Sequence, residues 1–184
     1  MYHFRMTHPK ALATLALALL PLLASAQAVP LFKGPVSEAG LVDALLPERT
    51  EATRSFTVRR DKPAVASAPK QAAASMLITF VTNSAQLTPQ ARQVLDTLGR
   101  AMQSDKLAEF NFYIEGHADP RGGEQFNLDL SQQRAESVVS YLSDKMQIDR
   151  NRLKPVGKGQ AELLNKAHPD SAENRRVTVK TIVK

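Results

Sequence analysis

From Met76 to Lys184 the apolar residues switch repeatedly between strand spacing and helix spacing, and few folds can bury elements in that order. Leu77-Ile-Thr-Phe-Val81 is a short run rich in strand formers. Thr88 and Pro89 supply a cap and a first-turn proline. Ala91, Val94, Leu95, Leu98, Ala101 and Met102 then recur at helical spacing, which predicts an amphipathic helix ending near Asp105. Phe110, Phe112 and Ile114 alternate with polar neighbours, as in a strand running up to Gly116. A polar loop containing Pro120, Gly122 and Gly123 follows. Asn127 can cap a second helix whose buried side is marked by Leu128, Ala135, Val138, Val139, Leu142 and Met146. Leu153 to Gly157 predicts a weaker strand, with Pro155 placing it at a sheet edge or strand end. Val177 to Val183 closes the chain as a strand. This order predicts an α/β domain, an α+β two-layer sandwich with its helices on one face of the sheet.

The residues before Met76 have a different composition. Met1 to Lys10 is basic, Ala11 to Ala24 is an apolar run of Ala and Leu, and Ala24-Ser25-Ala26 offers the small residues of a cleavage site. Residues 1–26 therefore read as a secretory signal. An uncleaved anchor is the alternative, but the run is short for a span of about 20 residues and contains Pro21. Residues 27–75 are rich in Pro and Ala and read as a linker, with too little apolar surface to offset the entropy of ordering. Two islands stand out within residues 37–60: a helix from a Ser37 cap to Leu46, stopped by Pro47, and a short strand at Ser55 to Arg59. These read either as a docking segment for an envelope protein or as local structure without consequence.

The chain has no cysteine, which excludes a disulfide scaffold, a thiolate metal site, an iron–sulfur cluster and a cysteine nucleophile. It also excludes attachment through a lipid-modified cysteine. The formal charge of +6 raises the question of an anionic partner. Arg5 and Lys10 carry two of those charges, and residues 27–75 hold seven basic and five acidic residues. Residues 76–184 hold fifteen and thirteen, so the domain is nearly balanced. With no platform of interleaved aromatic and basic residues, charge alone does not predict nucleic-acid binding.

Four spaced motifs carry a resemblance. Ile114-Glu-Gly-His-Ala-Asp119, Phe126-Asn127, the pair Leu130-Ser131 with Arg134-Ala135, and the late Asn174-Arg-Arg-Val177 occur in that order. The segment from Met76 to Lys184 resembles the OmpA-like, peptidoglycan-associating domain family of Gram-negative envelopes. Ala118 stands where members commonly have Thr, Phe126 where they have Tyr, and Val81 where many have Asp. The resemblance implies a β-α-β-α-β-(α)-β domain with a mixed four-stranded sheet. It also implies a periplasmic or outer-membrane-associated protein that binds peptidoglycan non-covalently through the meso-diaminopimelate residue of its stem peptide, with no cofactor and no metal.

That residue carries an ammonium and a carboxylate on one carbon, so its pocket requires an acid and a base held close together. By resemblance, Asp119 takes the ammonium and Arg134 holds the carboxylate with its planar fork of donors. Asn127 and Arg175 match further ligand contacts. Each has a plainer reading beside it. Asp119 and Arg134 could form an ordinary surface ion pair, and Asn127 could serve only as a cap. Arg175 and Arg176 alternate along a strand, so one should face the site while the other is solvated. His117 is expected to brace the loop through hydrogen bonds, and with His168 as the sole other histidine after residue 26 a metal role is not predicted.

An enzyme would need other motifs. The chain has no Gly-x-Ser-x-Gly elbow and no His-Glu-x-x-His helix, and Gly157-Lys-Gly159 lacks the rest of a phosphate loop. Glu115 and Asp119 could be drawn as a glycosidase pair, which keeps a cell-wall hydrolase as a minor alternative. A wall-anchoring adaptor of a stator or secretion-system machine is the closer one.

Overall fold

A computed structural model describes residues 29–33, 36–47, 72–81 and 83–183. The predicted signal at 1–26 and the predicted strand at Ser55 to Arg59 lie outside the described residues. Five strands form one mixed sheet: β1 (Leu31–Phe32), β2 (Ala73–Met76), β3 (Asn111–Gly116), β4 (Leu153–Gly157) and β5 (Val177–Ile182). Their order is β1-β2-β5-β3-β4, so β5, the last strand in the chain, is the central one. Its pairings with β2 and β3 are antiparallel, while β3 with β4 and β1 with β2 are parallel. The four longer strands are the mixed four-stranded sheet that the resemblance implies, and β1 extends it by two residues. Pro155 lies on β4 at the open edge, where a missing N–H costs no ladder bond.

Among the described residues three α-helices pack with the sheet: α1 (Glu38–Leu45), α2 (Pro89–Gln103) and α3 (Glu124–Asp144). The Thr88 hydroxyl caps α2 by accepting the Ala91 N–H at 3.2 Å, and Ser37 caps α1 in the same way through Gly40 at 3.1 Å. Phe112, Ile114, Val177 and Val179 share a core with Leu95, Leu98, Met102, Val138 and Leu142. The alternate residues carry the polar face, where Ser75 bonds Thr178 at 2.8 Å and Lys180 lies 2.6 Å from Glu115. Strand alternation thus separates an apolar layer from an ionic one.

Several expectations change. The first long strand is Ala73–Met76 rather than Leu77 to Val81. Pairing with β5 overrides the weak strand propensity of Ala-Ala-Ser. Past Met76 the chain leaves the sheet and keeps only a bridge between Phe80 and Leu87. The packed unit also reaches back beyond Met76 into the predicted linker. Leu41 and Leu45 of α1 are fully buried in the common core, so this half of the predicted docking segment is spent on the domain itself. Both ends of the intervening stretch meet at Thr181, whose hydroxyl donates to Leu45 O at 2.5 Å and whose N–H donates to Ala72 O at 2.9 Å. Finally, α3 starts at Glu124 with Gly123 in the cap position, which puts Asn127 inside the helix, and Leu128 is 41% exposed instead of buried.

Candidate functional site

Two glycines let α3 approach the carboxyl ends of β3 and β4. A Cβ on Gly116 would overlap the Ser131 carbonyl oxygen, and one on Gly157 would sit 2.7 Å from the Gln132 backbone nitrogen. These glycines face each other in register. Side chains of α3 bond the adjacent loop: Ser131 Oγ accepts the Gly159 N–H at 2.8 Å, and Gln132 Oε1 accepts the Gly157 N–H at 2.6 Å. Gly157-Lys-Gly159 is therefore a packing segment.

Beside this junction opens a cavity of about 630 Å³, whose lining includes Asp119, Asn127, Arg134 and Arg175. All four residues singled out from the sequence thus meet at one place. Their partners differ from the expected ones. Asp119 is 5% exposed, and its Oδ2 accepts from Nη2 of Arg121 and Nη1 of Arg175, each at 2.8 Å. Its Oδ1 accepts the backbone N–H of Arg121 at 3.1 Å and Nε of the same residue at 3.2 Å. Burial alone would raise the Asp119 pKa, but the hydrogen bonds from Arg121 and Arg175 outweigh it and hold the carboxyl at about 2.

Arg134 makes no ion pair among the described residues. Its Nε donates to Ser84 O at 3.1 Å, and its guanidinium lies 4.9 Å from the centre of the Phe80 ring. Burial, and then repulsion from Arg175, lower its pKa below the ordinary arginine value, with Asp119 opposing. Among the described residues no ion pair joins Asp119 to Arg134, so the simple surface bridge weighed from the sequence is not formed. Asn127 is buried and donates Nδ2 to Asp119 O at 3.0 Å and to Gln160 Oε1 at 2.8 Å. It braces the Asp119 loop in place of capping the helix.

Arg175 and Arg176 lie just before β5, so strand alternation does not separate them as expected: both line the cavity, and neither is simply solvated. Arg175 reaches Asp119, whereas Arg176 is 7% exposed and donates Nη2 to Glu162 O at 3.2 Å. Asn174 sets the preceding loop: its Nδ2 donates to Asn165 O, His168 O and Pro169 O at 3.1, 3.2 and 2.8 Å, and its Oδ1 accepts the Asn165 N–H at 2.9 Å. Sequence reasoning missed both Asn174 and Arg121. The first opens the late motif and the second follows Asp119 by two residues, so position within the motifs was the available signal.

His117 does not brace its loop as expected. Both ring nitrogens are buried without a hydrogen-bond partner. Burial, reinforced by Arg176, lowers its pKa to about 3, so the ring is neutral at pH 7. Glu115, His117 and Glu162 bring one potential ligand atom each within 4.8 Å of the others. Lys180 lies 2.6 Å from Glu115, and Lys158 lies 2.9 Å from Glu162. Those ammonium groups already neutralise the acids and would repel a divalent ion. Glu115 is thereby committed to ion pairs with Lys180 at 2.6 Å and Lys158 at 3.5 Å.

The comparisons with known proteins agree with this architecture. The sequence profile of the OmpA family matches residues 79–176, more than half of the chain. Outer membrane protein A of Bordetella avium is 34% identical over 128 residues, covering 64% of each protein. The outer-membrane lipoprotein YfiB of Pseudomonas aeruginosa is 30% identical over 106 residues, covering 57% of this chain and 62% of YfiB. The chain thus spans less than two thirds of these relatives. Among solved structures, the cell wall anchor of the T6SS from Pseudomonas aeruginosa superposes with a TM-score of 0.51 at 21% identity, over 64% of this chain and 85% of the anchor. No helix among the described residues is long and apolar enough to cross a membrane. Motifs, sheet order and profile together place this chain in the OmpA family, among relatives of the outer membrane and cell envelope.

Proposed function

We propose that this protein anchors itself to the cell wall by binding peptidoglycan non-covalently, and that the cavity beside Asp119 takes the meso-diaminopimelate residue of the stem peptide. The observation that carries this reading is the convergence of one acid and separate guanidinium groups on a single concave site. Asp119 is suited to the ligand ammonium. Arg134, held against Phe80 and Ser84 with its Nη groups uncommitted to any acid among the described residues, is suited to the carboxylate. Arg175 adds positive charge beside them. Asn127 fixes the loop that presents Asp119.

The fold shared with a T6SS cell wall anchor is consistent with a wall-binding role. Sedimentation with purified sacculi tests the reading. The wild-type chain should co-sediment, and Asp119→Ala or Arg134→Ala should remove most binding, since truncating one partner of a desolvated charge pair costs about 2 to 5 kcal/mol. Binding that survives both substitutions would overturn the site, and release of soluble wall fragments would favour a hydrolase.

A further inference from the structure

The Asp119 carboxylate has no acceptor position to spare. Such a group offers about four lone-pair sites, and four donors occupy them: Nη2, Nε and the backbone N–H of Arg121, and Nη1 of Arg175. An arriving ammonium must therefore displace a donor. Arg175 is tied a second time, through Nη1 to Asp170 O at 3.1 Å, and follows a loop fixed by Asn174. The Arg121 side chain is 65% exposed, and among the described residues its hydrogen bonds go to Asp119 alone. It is the more exposed of the two guanidinium donors and the one without a second anchor among the described residues.

We propose that Arg121 is an exchangeable internal counter-ion that sets the affinity a ligand must supply at this site, leaving Asp119 when a ligand ammonium arrives. This rests on the wall-binding reading of the same cavity. The consequence is a threshold of affinity. An ammonium gains at Asp119 little more than Arg121 gives up, so a ligand with an amine alone has almost no net drive to bind. A ligand that also brings a carboxylate for Arg134 binds, because that contact displaces no acid. The exchange thus sets a threshold that a zwitterion clears and an amine alone does not.

Isothermal titration of the full chain with a diaminopimelate-containing muropeptide, and with the same peptide amidated at the free diaminopimelate carboxylate, tests this. The wild type should bind the free acid and strongly disfavour the amide. Arg121→Gln should bind the free acid and the amide each about two- to fivefold more tightly, the size of an exposed ion pair removed as competitor. If the wild type binds the free acid while Arg121→Gln binds it equally or more weakly, the exchange is wrong and the wall-binding site stands. If neither protein binds the free acid, both fall.

Discussion

Gly116 shows how a single missing Cβ sets the site. Its backbone lies against the Ser131 carbonyl, and any side chain there must push α3 off the sheet. Gly116→Ala should destabilise the domain by about 1 to 3 kcal/mol, read as a lower urea midpoint, with wall binding weakened in the same variant. His117, the next residue, makes stability depend on pH. Its folded pKa of about 3 lies below the ordinary 6.5, so between those values the unfolded chain binds a proton that the native state does not. That stability is fully present above pH 6.5 and falls as pH drops toward 3, by up to about 1.4 kcal/mol per pH unit. Asp119 acts lower down, its contribution present above 3.8 and lost as pH falls through 2. Urea unfolding at pH 7, 5.5 and 4 should give a steeper loss for the wild type than for His117→Gln, and parallel slopes would refute the assignment. The sequence marked Gly116, His117 and Asp119 as motif residues. Why each is needed depended on neighbours from α3 and β5, which no local pattern reveals.

At the scale of elements, α1 is the clearest lesson. Its Ser37 cap, its spaced leucines and the stop at Pro47 were all legible, because capping and periodicity are local. Its destination was not. A helix of eight residues has no fixed partner in its own pattern, and the surrounding Pro and Ala suggested a linker. In the fold it covers α2 with Leu41 and Leu45, each burial worth about 1.5 to 3 kcal/mol. A chain cut to Met76–Lys184 loses β1, α1 and nearly all of β2, leaving one edge of β5 unpaired. It should melt well below the chain beginning at Val29, or aggregate, and equal melting temperatures by circular dichroism would show that the earlier segment is dispensable. The misplaced first strand has the same origin. Leu77 to Val81 has the better local propensity, but Ala73–Met76 has the partner.

Over the whole molecule, charge separates specific binding from general attraction to a polyanion. The +6 of the full chain falls to a small excess across residues 76–184, while Arg121, Arg134 and Arg175 gather around one acid. Asp119→Ala makes the domain more basic, so retention governed by bulk charge would strengthen in that variant. Retention through the cavity should instead drop, and moderate salt should weaken wild-type binding only modestly because the contacts are partly buried. Sedimentation of both proteins with sacculi from 0.05 to 0.5 M NaCl distinguishes the two. Periodicity and ordered motifs survive without coordinates, so the class of fold, the strand and helix order after the first strand, the family, and four residues that line one cavity were legible in the chain alone. That the unit begins before Met76, that Asp119 is paired to Arg121 and Arg175 instead of Arg134, and that Arg176 and His117 are buried emerged from the folded chain. Those outcomes hang on contacts between segments far apart in the chain, where a pairing of strands or a competition between guanidinium groups sets the result and local propensity carries no information about it.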